Sequence, residues 1–182
     1  MRLSGQLSWI RGIRRFGAAA LLLLASAAGQ AAPVPEYQVK ADFLLNFAQF
    51  VSWPSPAANT PFIIGILGDD PFGSYLDEIV RGEKVNDRPL TIQRLRRRAD
   101  PRACHILFIS QSERDRVAQV LSNLKGRTVL TVSDIDGFTD LGGMIQLFTE
   151  KNNVRMRINL DAVKAANLRV SSKLLRMAEV AH

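Results

Sequence analysis

Few residues in this sequence could do chemistry, and their spacing decides what each is able to do. Asp69 and Asp70 follow the apolar run Phe62 to Leu67, where a phosphoacceptor receiver domain keeps its metal-binding acids. A receiver also needs an aspartate at the end of a later strand, where this chain has Phe108-Ile109-Ser110, and a lysine after the next one, which is missing. Asp69-Asp70-Pro71 reads instead as a turn whose aspartate caps the helix expected from Phe72. His105 and His182 are the only histidines and Cys104 the only cysteine, so the sequence holds no ligand set of metal-site spacing. It has no Gly-x-Ser-x-Gly element and no serine with a plausible histidine base. Gly142-Gly143 precedes an expected strand rather than a helix and does not fit a phosphate cradle. The chain is therefore expected not to be an enzyme and to use no metal or cofactor. Cys104 heads the apolar run His105 to Ile109, which suits packing better than reactivity.

The elements around these residues follow from periodicity. Tyr37, Val39, Phe43, Leu44, Phe47, Phe50 and Val51 recur at helical spacing between Pro35 and Trp53-Pro54. Phe62 to Leu67, His105 to Ile109 and Val129 to Val132 are apolar on both faces, as in strands covered on both sides. Leu90 to Leu95 alternates like a further strand. Helices are expected over Phe72 to Val80, closed by Gly82, and over Glu113 to Leu124, capped by Ser110 or Ser112 and closed by Gly126. Met144 to Thr149 and Val154 to Asn159 form a hairpin around Glu150-Lys151-Asn152-Asn153. Short helices follow over Asp161 to Ala166 and Ser171 to Ala178. The fold class is α/β: one domain, a mixed but largely parallel sheet, helices on both faces and a C-terminal hairpin.

Residues 1–27 have the order of a secretory signal peptide, with a cut as late as residue 32 also compatible. Arg2, Arg11, Arg14 and Arg15 precede the apolar run from Phe16 and the small residues Ala25 to Ala32. That run is short of the roughly 20 apolar residues a membrane-spanning helix needs. Residues 34–182 then form a single exported, periplasmic domain. The formal charge of +7 shrinks after processing, because 20 Lys and Arg remain against 17 Asp and Glu. The basic cluster Arg94, Arg96, Arg97, Arg98 and Arg102 carries no interleaved aromatic residue for stacking on bases, so nucleic acid is not an expected partner.

Eight blocks in order carry a resemblance: Glu36 to Phe47, Val51 to Pro54, Gly65 to Gly73, Ile106 to Ser110, Leu130 to Phe138, Gly142 to Ile145, Arg157 to Asp161 and Ser171 to Arg176. Together they resemble the YfiR family of periplasmic regulators. The resemblance implies a negative regulator that binds the periplasmic domain of an inner-membrane diguanylate cyclase, the YfiN partner, and lowers cyclic di-GMP synthesis. It further implies sequestration by an outer-membrane lipoprotein of the YfiB kind, and a homodimer. Family members that rely on disulfides are not matched here, since Cys104 is alone. A periplasmic small-molecule sensor or carrier serving another membrane protein is the alternative reading.

The partner site is expected on the C-terminal segment, at Arg155, Arg157, Asn159, Leu160, Asp161, Leu168, Val170 and Lys173. Alternation sends Val154, Met156 and Ile158 to one face of their strand and Arg155, Arg157 and Asn159 to the other. Leu160, Leu168 and Val170 lie in short elements beside them. Arginine next to aliphatic groups is the mixture that interface centres favour.

Overall fold

The long apolar face read between Pro35 and Trp53 becomes helix α1, Glu36–Phe50, in the computed structural model, which describes residues 35–54, 60–96 and 99–181. The expected signal peptide lies outside the described residues. In chain order the remaining elements are β1 (Val51–Ser52), β2 (Phe62–Leu67), α2 (Ser74–Val80), β3 (Lys84–Val85), β4 (Arg88–Leu95), β5 (Ile106–Ile109), α3 (Val117–Leu124), β6 (Leu130–Ser133), β7 (Ile145–Glu150), β8 (Asn153–Asn159), α4 (Leu160–Ala165), β9 (Arg169–Val170), α5 (Ser172–Leu175) and β10 (Ala178–Ala181).

One mixed sheet has the strand order β10-β8-β7-β6-β5-β2-β4-β3. It is parallel from β4 through β7, with β3 antiparallel to β4, β8 antiparallel to β7 and β10 parallel to β8. The runs apolar on both faces are buried on both faces. Ile64, Ile66, Phe108 and Val132 meet α1 and α2 through Leu44, Phe47 and Leu76. Leu67, Leu107 and Ile109 meet α3 through Val117, Val120 and Leu124. The β7–β8 connection is a tight turn in which Lys151 and Asn152 both take positive φ, 49° and 61°, the twist that two-residue hairpins need.

Three expectations need correction. The helix placed over Glu113 to Leu124 splits into a 3-10 turn, Gln111–Arg116, and α3 from Val117. Ser110 Oγ accepts the Ser112 N–H, which closes the first turn tightly before α-geometry begins. The Phe72 helix starts only at Ser74, and Asp70 Oδ1 accepts the Phe72 N–H, so the aspartate closes the preceding turn rather than the helix. The helix placed over Ser171 to Ala178 stops at Leu175, and Ala178–Ala181 is a strand. There the ladder with β8 supplies hydrogen bonds in register, Glu179 opposite Arg157, and overrides the weak helical pattern.

The singular residues pack. His105 Nδ1 accepts the Ile63 N–H at 3.1 Å, and the ring stacks on Phe62. Burial, with Arg88 beside it, pulls its pKa down to about 4. Cys104 is buried, its thiol pushed up to about 11 chiefly by burial, and it sits where a side chain on Gly65 would clash with its sulfur. Cys104→Ser places a hydroxyl among Leu67, Leu95 and Leu107. The expected cost is about 1–3 kcal/mol by urea unfolding, with regulation intact in the folded protein. A folded variant that fails to regulate would contradict this packing role.

Candidate functional site

The expected partner residues occupy three places. Arg155 and Arg157 stand on the face of β8 opposite the one that buries Met156 and Ile158. Arg157 Nη2 donates to Glu179 Oε2 at 2.9 Å, and its guanidinium lies 5.3 Å above the Phe148 ring. Arg155 pairs with Glu150 and approaches Glu179 to 3.8 Å. This face is therefore a row of ion pairs along β7, β8 and β10, with an arginine–aromatic stack at its centre.

Asn159 is a structural cap: its Oδ1 accepts the Ala162 N–H that opens α4, and its Nδ2 donates to the Thr139 carbonyl. Leu160 is half-buried against the core, and Asp161 is exposed, 3.9 Å from Lys164. The third place is the C-terminal end of α1. Val170 pairs with Val51 in a two-stranded ladder, and the Lys173 ammonium sits 4.7 Å over the Phe50 ring. Leu168 is only 2% exposed and belongs to the core, so its side chain is not presented to a partner. Two open cavities flank α4. One of about 380 Å³ runs toward α3 past Leu121, Lys125, Arg127 and Met144, and one of about 620 Å³ lies beside Trp53, Lys164 and Arg169.

Sequence reasoning missed a buried charge cluster at the carboxyl end of β6. Lys40 and Asp134, 3% and 8% exposed, meet at 2.7 Å between Nζ and Oδ2. Tyr37 donates its hydroxyl to the same oxygen at 3.0 Å, Glu36 lies 2.5 Å from Lys40 Nζ, and Gln111 Nε2 donates to the Asp134 carbonyl. Asp134 Oδ1 is buried without a hydrogen-bond partner. Burial alone would lower the Lys40 ammonium, but the hydrogen bonds to Asp134 and Glu36 outweigh it and leave the pKa raised. The bond to Lys40 holds the Glu36 carboxyl low. Burial, and then the Asp134 charge, push the Tyr37 phenol up. The signal was present in the spacing Glu36, Tyr37, Lys40, which puts three polar groups on one helical face amid the apolar positions.

The strand order reverses between β2 and β5, where open α/β sheets hold ligands outside the strand ends. Here the loops close on each other. Ser112 Oγ accepts the Asp69 N–H at 2.9 Å, and Gly68, at φ 92°, leaves no room for a Cβ beside that oxygen. Among the described residues no group of three or more His, Cys, Asp or Glu side chains is placed to hold a metal, and no helix is long and apolar enough to cross a membrane.

The YfiR/HmsC-like family model matches residues 37–179, from the tyrosine of the charge cluster to the glutamate of the ion-paired sheet face. The chain belongs to the YfiR/HmsC-like family. No curated protein matches it. Members of the YfiR/HmsC-like family are periplasmic regulators of cyclic di-GMP signalling that act through membrane proteins, and the family is regulatory rather than catalytic. The matched span takes in Tyr37, Lys40 and Asp134 of the buried cluster that fastens α1 to the sheet and the strands that carry Arg155 and Arg157.

Proposed function

We propose that this protein represses an inner-membrane diguanylate cyclase of the YfiN kind by binding its periplasmic domain, which lowers cyclic di-GMP synthesis. It acts after export through a cleavable signal peptide, as a homodimer, with an outer-membrane lipoprotein of the YfiB kind as the counter-partner. The observation that carries this reading is a family match extending over nearly the whole described domain. The ion-paired face of β7, β8 and β10 supports placing the contact on it and on the exposed start of α4 that follows β8. It has an arginine over an aromatic ring on a partly exposed surface, and arginine and aromatic residues are enriched at interface centres.

The test is charge reversal. Asp161→Lys, at an exposed position, should leave stability within about 0.5 kcal/mol. Arg157→Glu sets two carboxylates opposite each other and should cost about 1 kcal/mol. Both should abolish capture of the cyclase's periplasmic domain and raise cellular cyclic di-GMP. The double swap Arg157→Glu with Glu179→Arg restores the internal ion pair. It should recover stability but not partner binding. Recovery of binding by the swap would make Arg157 purely structural, and folded single variants that bind like the wild type would move the contact elsewhere.

A further inference from the structure

The two edges of the eight-stranded sheet are built differently. At one edge β3 is only two residues long, presents the exposed Lys84, and returns through Asn86 and Asp87 at positive φ, 49° and 63°. Short length and an edge lysine are the devices that keep sheets from joining. The other edge is β10, which carries no lysine and no proline. Its inner side is laddered to β8, and its outer side pairs with no strand among the described residues. Its single charge, Glu179, is held over its own sheet by Arg157 at 2.9 Å and Arg155 at 3.8 Å. Two of the three exposed large apolar side chains among the described residues lie beside this open ladder, Met177 at 59% and Val180 at 43%.

We propose that β10 joins two copies of this chain edge to edge, as antiparallel strands related by a two-fold axis midway between the two Val180 residues. Side chains opposite each other in an antiparallel pair share a face, so the two-fold axis must run midway between two copies of the same residue. Centring on Glu179 would oppose two carboxylates. Centring on Val180 opposes valine to valine and Glu179 to Ala181, which removes that repulsion and covers an exposed apolar group. A second copy fits because the strand is complementary to itself under that rotation, and a closed two-fold contact consumes both open edges. The same rotation keeps the Arg155 and Arg157 faces of the two copies on one side of a continuous sheet. This inference rests on the homodimer proposed above and names its surface.

Sedimentation equilibrium on the exported chain tests it. A four-residue ladder buries less than the roughly 1,200 Å² of a stable interface, so the dimer should form at about 100 μM and dissociate on dilution. Val180→Lys should shift dissociation at least tenfold toward monomer with an unchanged circular dichroism spectrum. Val180→Cys should give a covalent dimer on mild oxidation, whereas the wild type, whose Cys104 is buried, should not. A wild-type monomer at that concentration would overturn the surface and the dimer together, leaving cyclase binding to be judged by its own capture assay. A dimer indifferent to Val180→Lys, or no covalent dimer from Val180→Cys, overturns the β10 surface alone.

Discussion

Replacing Lys40 with methionine should destabilise the fold by about 3–5 kcal/mol, the cost of removing one partner from a buried ion pair. The charge left behind has little to fall back on. Asp134 would keep the Tyr37 hydroxyl on Oδ2 at 3.0 Å, while Oδ1 already lacks a partner. Methionine fills the lysine's volume, so the loss is electrostatic rather than a cavity effect. For a domain of this size the thermal midpoint should fall by roughly 10 °C, at about 2–4 °C per kcal/mol. Asp134→Asn in the same background removes the stranded charge and should recover much of the loss, because neutralising both partners is far less costly than stranding one. A loss below about 1 kcal/mol for Lys40→Met would show that the pair is hydrated and not the clamp its burial implies. Because α1 packs through Leu44 and Phe47, a loosened clamp should also lower the protein's abundance in the cell.

The parallel core was legible because its strands are buried on both faces. Phe62 to Leu67 and Ile106 to Ile109 have no polar side and admit few other readings. The hairpin was legible because β8 alternates Arg155, Met156, Arg157, Ile158 over a tight Lys151-Asn152 turn. The C-terminal strand was not, since Ala178 to Ala181 is too short and too weak in propensity to declare itself. Its state comes from the register with β8 and the Glu179–Arg157 pair, which join residues 22 positions apart. Lys40 and Asp134 are separated by 94 positions, and no local pattern reports a bond of that span. Leu168 shows the opposite error. A lone leucine after a short helix gives no periodicity, so only packing reveals that it is core. Alternation along β8 thus placed Arg155 and Arg157 on the face opposite Met156 and Ile158, whereas positions that depend on elements brought together by the fold were not legible.

Gly143→Ala should cost about 3 kcal/mol, more than its neighbour Gly142→Ala, for a reason that separates space from backbone conformation. A Cβ on Gly143 would lie 2.2 to 2.6 Å from three atoms of the Phe138 ring, and that ring is fully buried. The ring cannot swing out, because it is packed into the α3 side of the core, and the Gly143 N–H donates to the Phe138 carbonyl at 2.9 Å. Overpacking of this kind forces a backbone shift and typically costs 1–3 kcal/mol, at the upper end where the obstacle is rigid. Gly142 has φ 92° but open space around its Cβ, so alanine there meets only conformational strain, about 1–2 kcal/mol. Phe138→Leu removes the obstructing ring edge. In that background Gly143→Ala should cost at least 1 kcal/mol less than in the wild type, the non-additivity expected of side chains in contact. Urea unfolding of the four proteins in this cycle checks it, and strictly additive losses would place the strain elsewhere in the loop. The consequence reaches α4 through Thr139, one residue after the ring. Its carbonyl accepts from the Asn159 side chain that caps α4, so a shifted loop unseats the helix bearing Asp161.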